Sequence, residues 1–178
     1  MANDFDKNSL SMIVVITGGS GFIGKRLVSR HLERGDEVRL LSRQKPDFPD
    51  YTIRWLEWNV NESARIHSFI DGADVIYHCA AEIQDISRMP AVNVGLTKQL
   101  LQAISGKIPH WIQLSSIGVY GRVRRGLVTE DTLEAPNGVY ESTKLEADQL
   151  VIQAAESGNL EYTILRPSNV FGEGMTNQ

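Results

Sequence analysis

Three observations predict an α/β fold of Rossmann type, a doubly wound parallel sheet with helices on both faces. An apolar run, Met12–Ile16, leads directly into a glycine-rich turn, Thr17-Gly18-Gly19-Ser20-Gly21-Phe22-Ile23-Gly24. The turn opens a segment with apolar residues at Ile23, Leu27, Val28 and Leu32, a helical period that stops at Gly35. Short apolar runs and amphipathic segments then alternate as far as Leu165, the pattern of a sheet built from βαβ units. Between a strand and a helix, glycines of this spacing point to dinucleotide binding. Gly18 or Gly19 lets the chain turn tightly, Gly21 leaves room for a pyrophosphate against the backbone, and Gly24 lets the helix lie close on the strand. The helix N-terminus, from Gly21 through Phe22 and Ile23, offers free N–H groups and a partial positive charge to phosphate.

Composition narrows the function classes. The 178 residues suffice for one core. With 42% hydrophobic and 22% charged residues the chain reads as globular, and a net charge of -4 supplies no basic field for nucleic acid. No apolar run approaches the ~18 residues of a membrane helix. Residues 1–11 are polar and read as a flexible tail, so the Rossmann domain is placed at 12–178. Cys79 is the one cysteine, which excludes a disulfide and a cysteine metal cluster; it reads as core, and a reducing, cytoplasmic setting fits it.

The elements follow in order. Glu37–Ser42 is the second strand. At its end an Asp or Glu would suit the ribose of NAD, whereas this chain has Ser42-Arg43, a hydroxyl and a guanidinium that suit the extra phosphate of NADP. Residues 44–51 form a proline-bearing loop, and Thr52–Trp58 alternates as a third strand. Asn59-Val60 then lies where an adenine edge would fall; the Asn59 amide could bond the adenine or cap the helix Asn61–Ile70. Asp74–Cys79 is the fourth strand and runs into Ala80-Ala81, small enough for a cofactor to lie against the backbone. His78 reads as structural. After a polar loop, a helix spans Ala91–Ser105, and His110–Leu114 is the fifth strand, ending in Ser115-Ser116. Residues 121–137 form a long irregular connection whose Arg122, Arg124 and Arg125 read as solvated, with contact to an anionic substrate as the alternative. A helix runs over Gly138–Ser157, and Tyr162–Leu165 is the sixth strand. Ligands of such sheets bind at the carboxyl ends of the strands.

Tyr140 and Lys144 are four apart and share one helix face. A phenol of pKa ~10 is a poor base at neutral pH. A neighbouring ammonium and a cationic nicotinamide would lower that value. The phenolate could then take a proton from a substrate hydroxyl while hydride leaves the same carbon. Ser116 on the adjoining strand end could hold the reacting oxygen.

In order along the chain, Thr17–Gly24 (TGGSGFIG), His78–Ala81 (HCAA), Asn93-Val94 with Leu100-Leu101, Leu114–Gly121 (LSSIGVYG), Tyr140–Lys144 (YESTK) and Arg166–Gly172 (RPSNVFG) make one series. By that series the sequence resembles the extended short-chain dehydrogenase/reductase superfamily, in its NAD-dependent epimerase/dehydratase branch. The resemblance implies Tyr140 as catalytic acid/base, Lys144 as the nicotinamide-ribose ligand that tunes it, and Ser116 as the catalytic serine. It places Asn93 near the active site, Pro167 and Ser168 near the nicotinamide, and Asn169 near the substrate. VYG and RPSNVFG imply a nucleotide-sugar substrate.

The sequence also departs from the family pattern. Asn59 replaces an Asp, Ser42-Arg43 replaces an acid, and the segment before Asn93 is short. Ile117-Gly118 stands where sugar dehydratases carry Asp-Glu, against 4,6-dehydration. The chain stops at Gln178, so the C-terminal substrate domain is expected to be largely absent and apolar surface to be left open, favouring association.

These readings converge on an NAD(P)-dependent epimerase/dehydratase-type oxidoreductase of nucleotide sugars, with NADP favoured over NAD. An NADP-dependent reductase or dehydrogenase of a non-sugar carbonyl or alcohol, and a non-catalytic dinucleotide sensor, stay open. The resemblance further implies a homodimer through the helices at Ala91–Ser105 and Gly138–Ser157.

Overall fold

The computed structural model describes residues 11–45, 47–48, 53–58, 63–105, 109–122, 126–158 and 160–175. Residues 1–10 of the expected tail, Asn59-Val60, Arg124 and Arg125 fall outside these residues. Six parallel strands form one sheet in the order β3-β2-β1-β4-β5-β6. They are β1 (Ile13–Thr17), β2 (Glu37–Ser42), β3 (Arg54–Glu57), β4 (Val75–His78), β5 (His110–Leu114) and β6 (Glu161–Leu165). The helices are α1 (Phe22–Glu33), α2 (Ser63–Ile70), α3 (Leu96–Ala103) and α4 (Val139–Glu156). The connection from β1 leads outward to β2 and β3, and the next crossover returns to the other side of β1 to lay down β4. This reversal beside β1 is the switch point at which such sheets bind ligands.

The alternation of β1 decides the layers. Val14 and Ile16 point to one face and pack with Val28 of α1, Val38 and Leu40. Val15 points to the other, where Leu41, Ile76 and Trp111 meet Ile66 and Phe69 of α2, Leu100 of α3 and Val151 of α4. On the α1 face the sheet is less covered beyond β4. Leu114 and Leu165 lie side by side there, and Leu165 is 48% exposed.

Two aspartates close the lower edge of β1. Asp36 accepts from the Met12 N–H (3.0 Å) and Asp74 from the Ile13 N–H (2.7 Å), so the first donors of a buried strand are satisfied. Burial pushes the Asp36 carboxyl up, but the Met12 N–H and His31 outweigh it and hold the group below its ordinary value. Arg39, also buried, reaches across from β2 to the carbonyls of Phe69 and Asp71 at the end of α2, both at 2.8 Å.

His78 joins the upper ends of the strands. Its Nδ1 is 2.7 Å from Thr17 Oγ1 and its Nε2 is 2.8 Å from Thr97 Oγ1. Thr97 donates its one proton to the Asn93 carbonyl, so Nε2 must carry the imidazole proton. Thr17 Oγ1 accepts from the Ala80 N–H and donates to Nδ1. One polar chain thus runs from Ala80 through His78 to the Asn93 backbone, in keeping with the structural reading of His78. Burial, helped by the Lys144 charge, pushes its pKa down to about 3.

An unfolded histidine protonates near ~6.5, so between there and about 3 the unfolded chain binds the extra proton. Stability must therefore fall as pH drops through this window, by up to ~1.4 kcal/mol per pH unit from this group. Urea unfolding between pH 7 and 5 should show that slope, and His78→Gln should lack this share of it. An unchanged slope in the variant would assign the acid sensitivity elsewhere.

Candidate functional site

Two clefts open along the carboxyl ends of the strands. The larger, about 870 Å³, lies against Gly18 and Gly21, the end of β2 at Ser42 and Arg43, and the end of β4 at Ala80 and Ala81. The smaller, about 170 Å³, is walled by Ile23, Ser115, Ser116, Tyr140, Lys144, Pro167, Ser168 and Val170. Cys79 and Ala81 line both, so the clefts meet over the β4 end.

The glycine turn has the shape a dinucleotide needs. Gly18 holds φ +68, and a Cβ there would stand 2.8 Å from the Ala80 nitrogen. A Cβ on Gly24 would stand 2.1 Å from the Gly18 carbonyl oxygen, so Gly24 sets the close packing of α1 and stays off the cleft wall. The Gly21 N–H donates to the Gly18 carbonyl at 2.9 Å. No side chain caps α1 and no acid occupies its first turn, which leaves the positive helix end to a ligand. Phe22 contributes backbone to this end, while its ring packs under Arg26, 4.0 Å from the guanidinium carbon. Lys25, Arg43, Lys45 and Arg88 border the larger cleft against two carboxylates, Asp47 and Glu82. That balance fits an anionic ligand in a chain that is acidic overall. These residues could hold a dinucleotide.

The end of β2 differs in part from expectation. The Ser42 hydroxyl donates to the Gln44 carbonyl (2.6 Å) and accepts from Trp55 Nε1 (3.0 Å), so it has no proton left to give a phosphate. Arg43 is half-exposed and sits 3.4 Å from Glu82, a carboxylate that also accepts from the N–H groups of Ile83, Gln84 and Asp85. Those bonds hold Glu82 below its ordinary value.

Asn93, expected near the active site and the cofactor, has its side chain behind the cleft wall. It lies in a π-helical turn, Pro90–Gly95, ahead of α3, and is 1% exposed. Its Oδ1 accepts from the Glu82 N–H, and its Nδ2 donates to the Glu82 carbonyl and to Thr143 Oγ1. With every polar atom engaged, the side chain stands one layer behind the cleft. It ties the Glu82 loop to α4.

Around the smaller cleft the sequence reading and the structure bring the same side chains together. Ser116 begins a 3₁₀ turn, Ile117–Tyr120, and its Oγ accepts from the Gly118 N–H at 3.1 Å. Tyr140 and Lys144 face the same space from α4. Lys144 is 2% exposed, and burial pushes its pKa down to about 8 against the opposing pull of Asp148 and Cys79. The expected depression of the Tyr140 phenol is not present in this structure. Burial pushes it up and the Glu141 carboxylate adds to the rise. Burial likewise pushes the Cys79 thiol up to about 11, in line with an unreactive group. Pro167 and Ser168 stand on the wall, whereas Asn169 is exposed beside them and Val170 takes the next place.

Sequence reasoning missed a buried cluster beneath this cleft. Asp148, fully buried, accepts from Ser115 Oγ (2.7 Å) and Arg166 Nε (3.2 Å). Arg166 continues to Tyr120 Oη (2.7 Å) and Glu134 (3.2 Å). The available signal was the spacing of Lys144 and Asp148, four residues apart on one helix face. Among the described residues no group of three His, Cys, Asp or Glu is placed to hold a metal, and no helix is long and apolar enough to cross a membrane.

A parallel sheet with this switch point, a glycine turn on it and a Ser/Tyr/Lys cleft beside it define a Rossmann protein of the extended short-chain dehydrogenase/reductase type. A profile of the NAD dependent epimerase/dehydratase family matches residues 14–178, and the chain belongs to that family. It is 32% identical over 180 residues to the low-salt glycan biosynthesis protein Agl12 of Haloferax volcanii, covering 90% of this chain and 57% of that protein. It is 29% identical over 176 residues to a 3 beta-hydroxysteroid dehydrogenase/Delta 5-->4-isomerase of Mycobacterium tuberculosis, covering 90% and 48%. The UDP-glucuronic acid 4-epimerase of Bacillus cereus, solved in complex with NAD, superposes with a TM-score of 0.79 at 26% identity, covering 90% of this chain and 58% of that one. The chain spans about half the length of the curated relatives it matches.

Proposed function

We propose that this chain carries the dinucleotide site and the proton-transfer groups of an NAD(P)-dependent oxidoreductase-type enzyme acting on a nucleotide sugar, by epimerisation, dehydration or reduction. The observation that carries the reading is the convergence of Ser116, Tyr140 and Lys144 on one cleft that opens into the glycine-turn cleft. A bound dinucleotide supplies the hydride acceptor or donor. Tyr140 Oη exchanges a proton with the substrate oxygen, Ser116 Oγ holds that oxygen, and the Lys144 ammonium binds the nicotinamide ribose and favours the phenolate. Ile23, Pro167 and Val170 keep water off the reacting carbon. Ala80, Ala81, Pro167 and Ser168 are the walls against which the nicotinamide end would lie. Asn169 is the candidate substrate contact. The test is turnover with UDP-glucose and UDP-glucuronic acid, followed as nicotinamide absorbance and as epimeric product. Failure on both, with turnover of a steroid alcohol or another apolar carbinol, would replace the sugar reading. That second reading draws on the exposed Ile83, Ile86 and Ile117 on the loops after β4 and β5.

NADP is the proposed cofactor over NAD. The support is Arg43, half-exposed at the cleft rim and in long contact with Glu82. A charge-assisted bond is worth ~1.5–3 kcal/mol, so Arg43→Ala should weaken NADP binding ~10–100-fold and leave NAD nearly unchanged. Calorimetric titration with each dinucleotide checks this. Equal losses on both, or tighter NAD binding by the unaltered protein, would count against an Arg43–phosphate contact.

A further inference from the structure

We propose that Asp148 is a positioning residue of this site: its buried carboxylate pins the ends of β5 and β6 to α4 and keeps Lys144 charged. The inference rests on the reading of Lys144 given above and extends it to a residue outside the Ser/Tyr/Lys set.

The geometry is specific. Ser115, which bonds Asp148 Oδ2, immediately precedes Ser116, and Arg166, which bonds the same oxygen, immediately precedes Pro167. The backbones of those two segments also bond each other, Ser115 N–H to the Leu165 carbonyl (2.7 Å) and Ile117 N–H to the Pro167 carbonyl (3.0 Å). One carboxylate therefore gathers both strand ends and the helix bearing Tyr140 and Lys144. Among the described residues Asp148 Oδ1 is buried with no hydrogen-bond partner, and burial pushes the carboxyl up while Ser115, Arg166 and Lys144 pull against that rise. Lys144 lies one turn earlier on the same helix and is itself buried.

The other titratable groups around Lys144 are accounted for. His78 from β4 is kept neutral by burial and by the Lys144 charge, so it sets no charge against Lys144. Cys79 is a protonated thiol at neutral pH. Tyr140 is protonated and feels Glu141. On the far side of Asp148, Arg166 is shared with Tyr120 and Glu134. Among these, Asp148 is the carboxylate that can offset the burial of the Lys144 ammonium. A purely structural Asp148 would need only its hydrogen bonds, which an amide could partly reproduce. A positioning Asp148 needs its charge.

The test is a pH titration of Lys144 followed by NMR in protein labelled with ¹³C-lysine, the Lys144 signal being assigned by its loss in Lys144→Arg. In Asp148→Asn the Lys144 midpoint should move to lower pH by about one unit or more, and Asp148→Glu should restore most of the shift. The pH at which NADPH affinity falls should move in parallel. If the single variant does not fold because Arg166 is left unpaired, D148N/R166Q removes both charges of that pair and should still lower the Lys144 midpoint. A Lys144 midpoint unmoved in the folded variant overturns the proposal. The two readings fail separately. Loss of the Lys144 shift with intact dinucleotide binding would sink only this one. No dinucleotide binding by the unaltered protein, with the Lys144 shift present, would sink only the cofactor reading.

Discussion

Tyr140→Phe is expected to lower turnover by ~10²–10⁴-fold, the usual contribution of a positioned acid/base, with dinucleotide affinity changed by no more than about twofold. The substitution deletes one oxygen and keeps the ring, which is half-buried on α4 beside Ser116 and Lys144. Its backbone carbonyl still accepts from Thr143 Oγ1, so the helix start and the Asn93 tie are retained. Burial and Glu141 keep the phenol protonated at neutral pH in this structure. Tyr140 is thus ready as an acid, the form needed to protonate an alkoxide. As a base it needs nearby positive charge to stabilise the phenolate, and the Lys144 ammonium is the protein's own source. The oxidative direction should consequently gain more from rising pH than the reductive one, until Lys144 itself deprotonates near about 8. Paired kinetics and calorimetry on the two proteins decide between an enzyme and a dinucleotide sensor. Turnover lost with binding kept supports the enzyme. Absence of turnover in both across sugar and non-sugar substrates supports the sensor.

What was legible in the sequence follows the range of the forces involved. β2 and β5 have the bounds read from their residues, Glu37–Ser42 and His110–Leu114, because buried parallel strands are written as short apolar runs. The helix read over Ala91–Ser105 is instead a π-helical turn followed by α3, Leu96–Ala103. Local periodicity carries no sign of this, since the turn surrounds Asn93, whose partners at Glu82 and Thr143 come from other parts of the chain. The 3₁₀ turn at Ile117–Tyr120 was hidden for the same reason: the Ile117 N–H is held by Pro167, fifty residues on. Ser116, Tyr140 and Lys144 could be found because strand-end and i,i+4 placement are local rules. The occupation of the Ser42 hydroxyl by Trp55, the pairing of Arg43 with Glu82, and the Ser115–Asp148–Arg166 cluster are long-range events with no local signature. The upward push on the Tyr140 phenol likewise has no local signature, because it comes from burial, a property of the whole fold, with Glu141 adding to it.

The glycine turn should be the least tolerant part of the molecule, and Gly24→Ala its sharpest test. The added Cβ would meet the Gly18 carbonyl oxygen at 2.1 Å and the Gly18 carbon and Gly19 Cα at 2.8 Å. All three are backbone atoms, so no rotamer change relieves the clash. The turn cannot easily retreat either: Gly18 is pressed against the Ala80 nitrogen, and Gly19 against Leu40 in the α1 core. The strain must move α1 away from β1, which tilts the first-turn N–H groups off the phosphate position. Overpacking of this kind costs ~1–3 kcal/mol, and misdirected phosphate donors should cost ~10-fold or more in dinucleotide affinity. Gly35→Ala is the control. Gly35 holds φ +80 with no atom of the described residues within 4 Å of its would-be Cβ, so its replacement strains the backbone by ~1–2 kcal/mol far from the cleft. Urea unfolding should therefore show both variants destabilised, while calorimetry shows binding lost only in Gly24→Ala. Equal binding by both would mean that α1 can slide on β1 without moving its N-terminus, and the turn would then be a packing device and not a phosphate cradle.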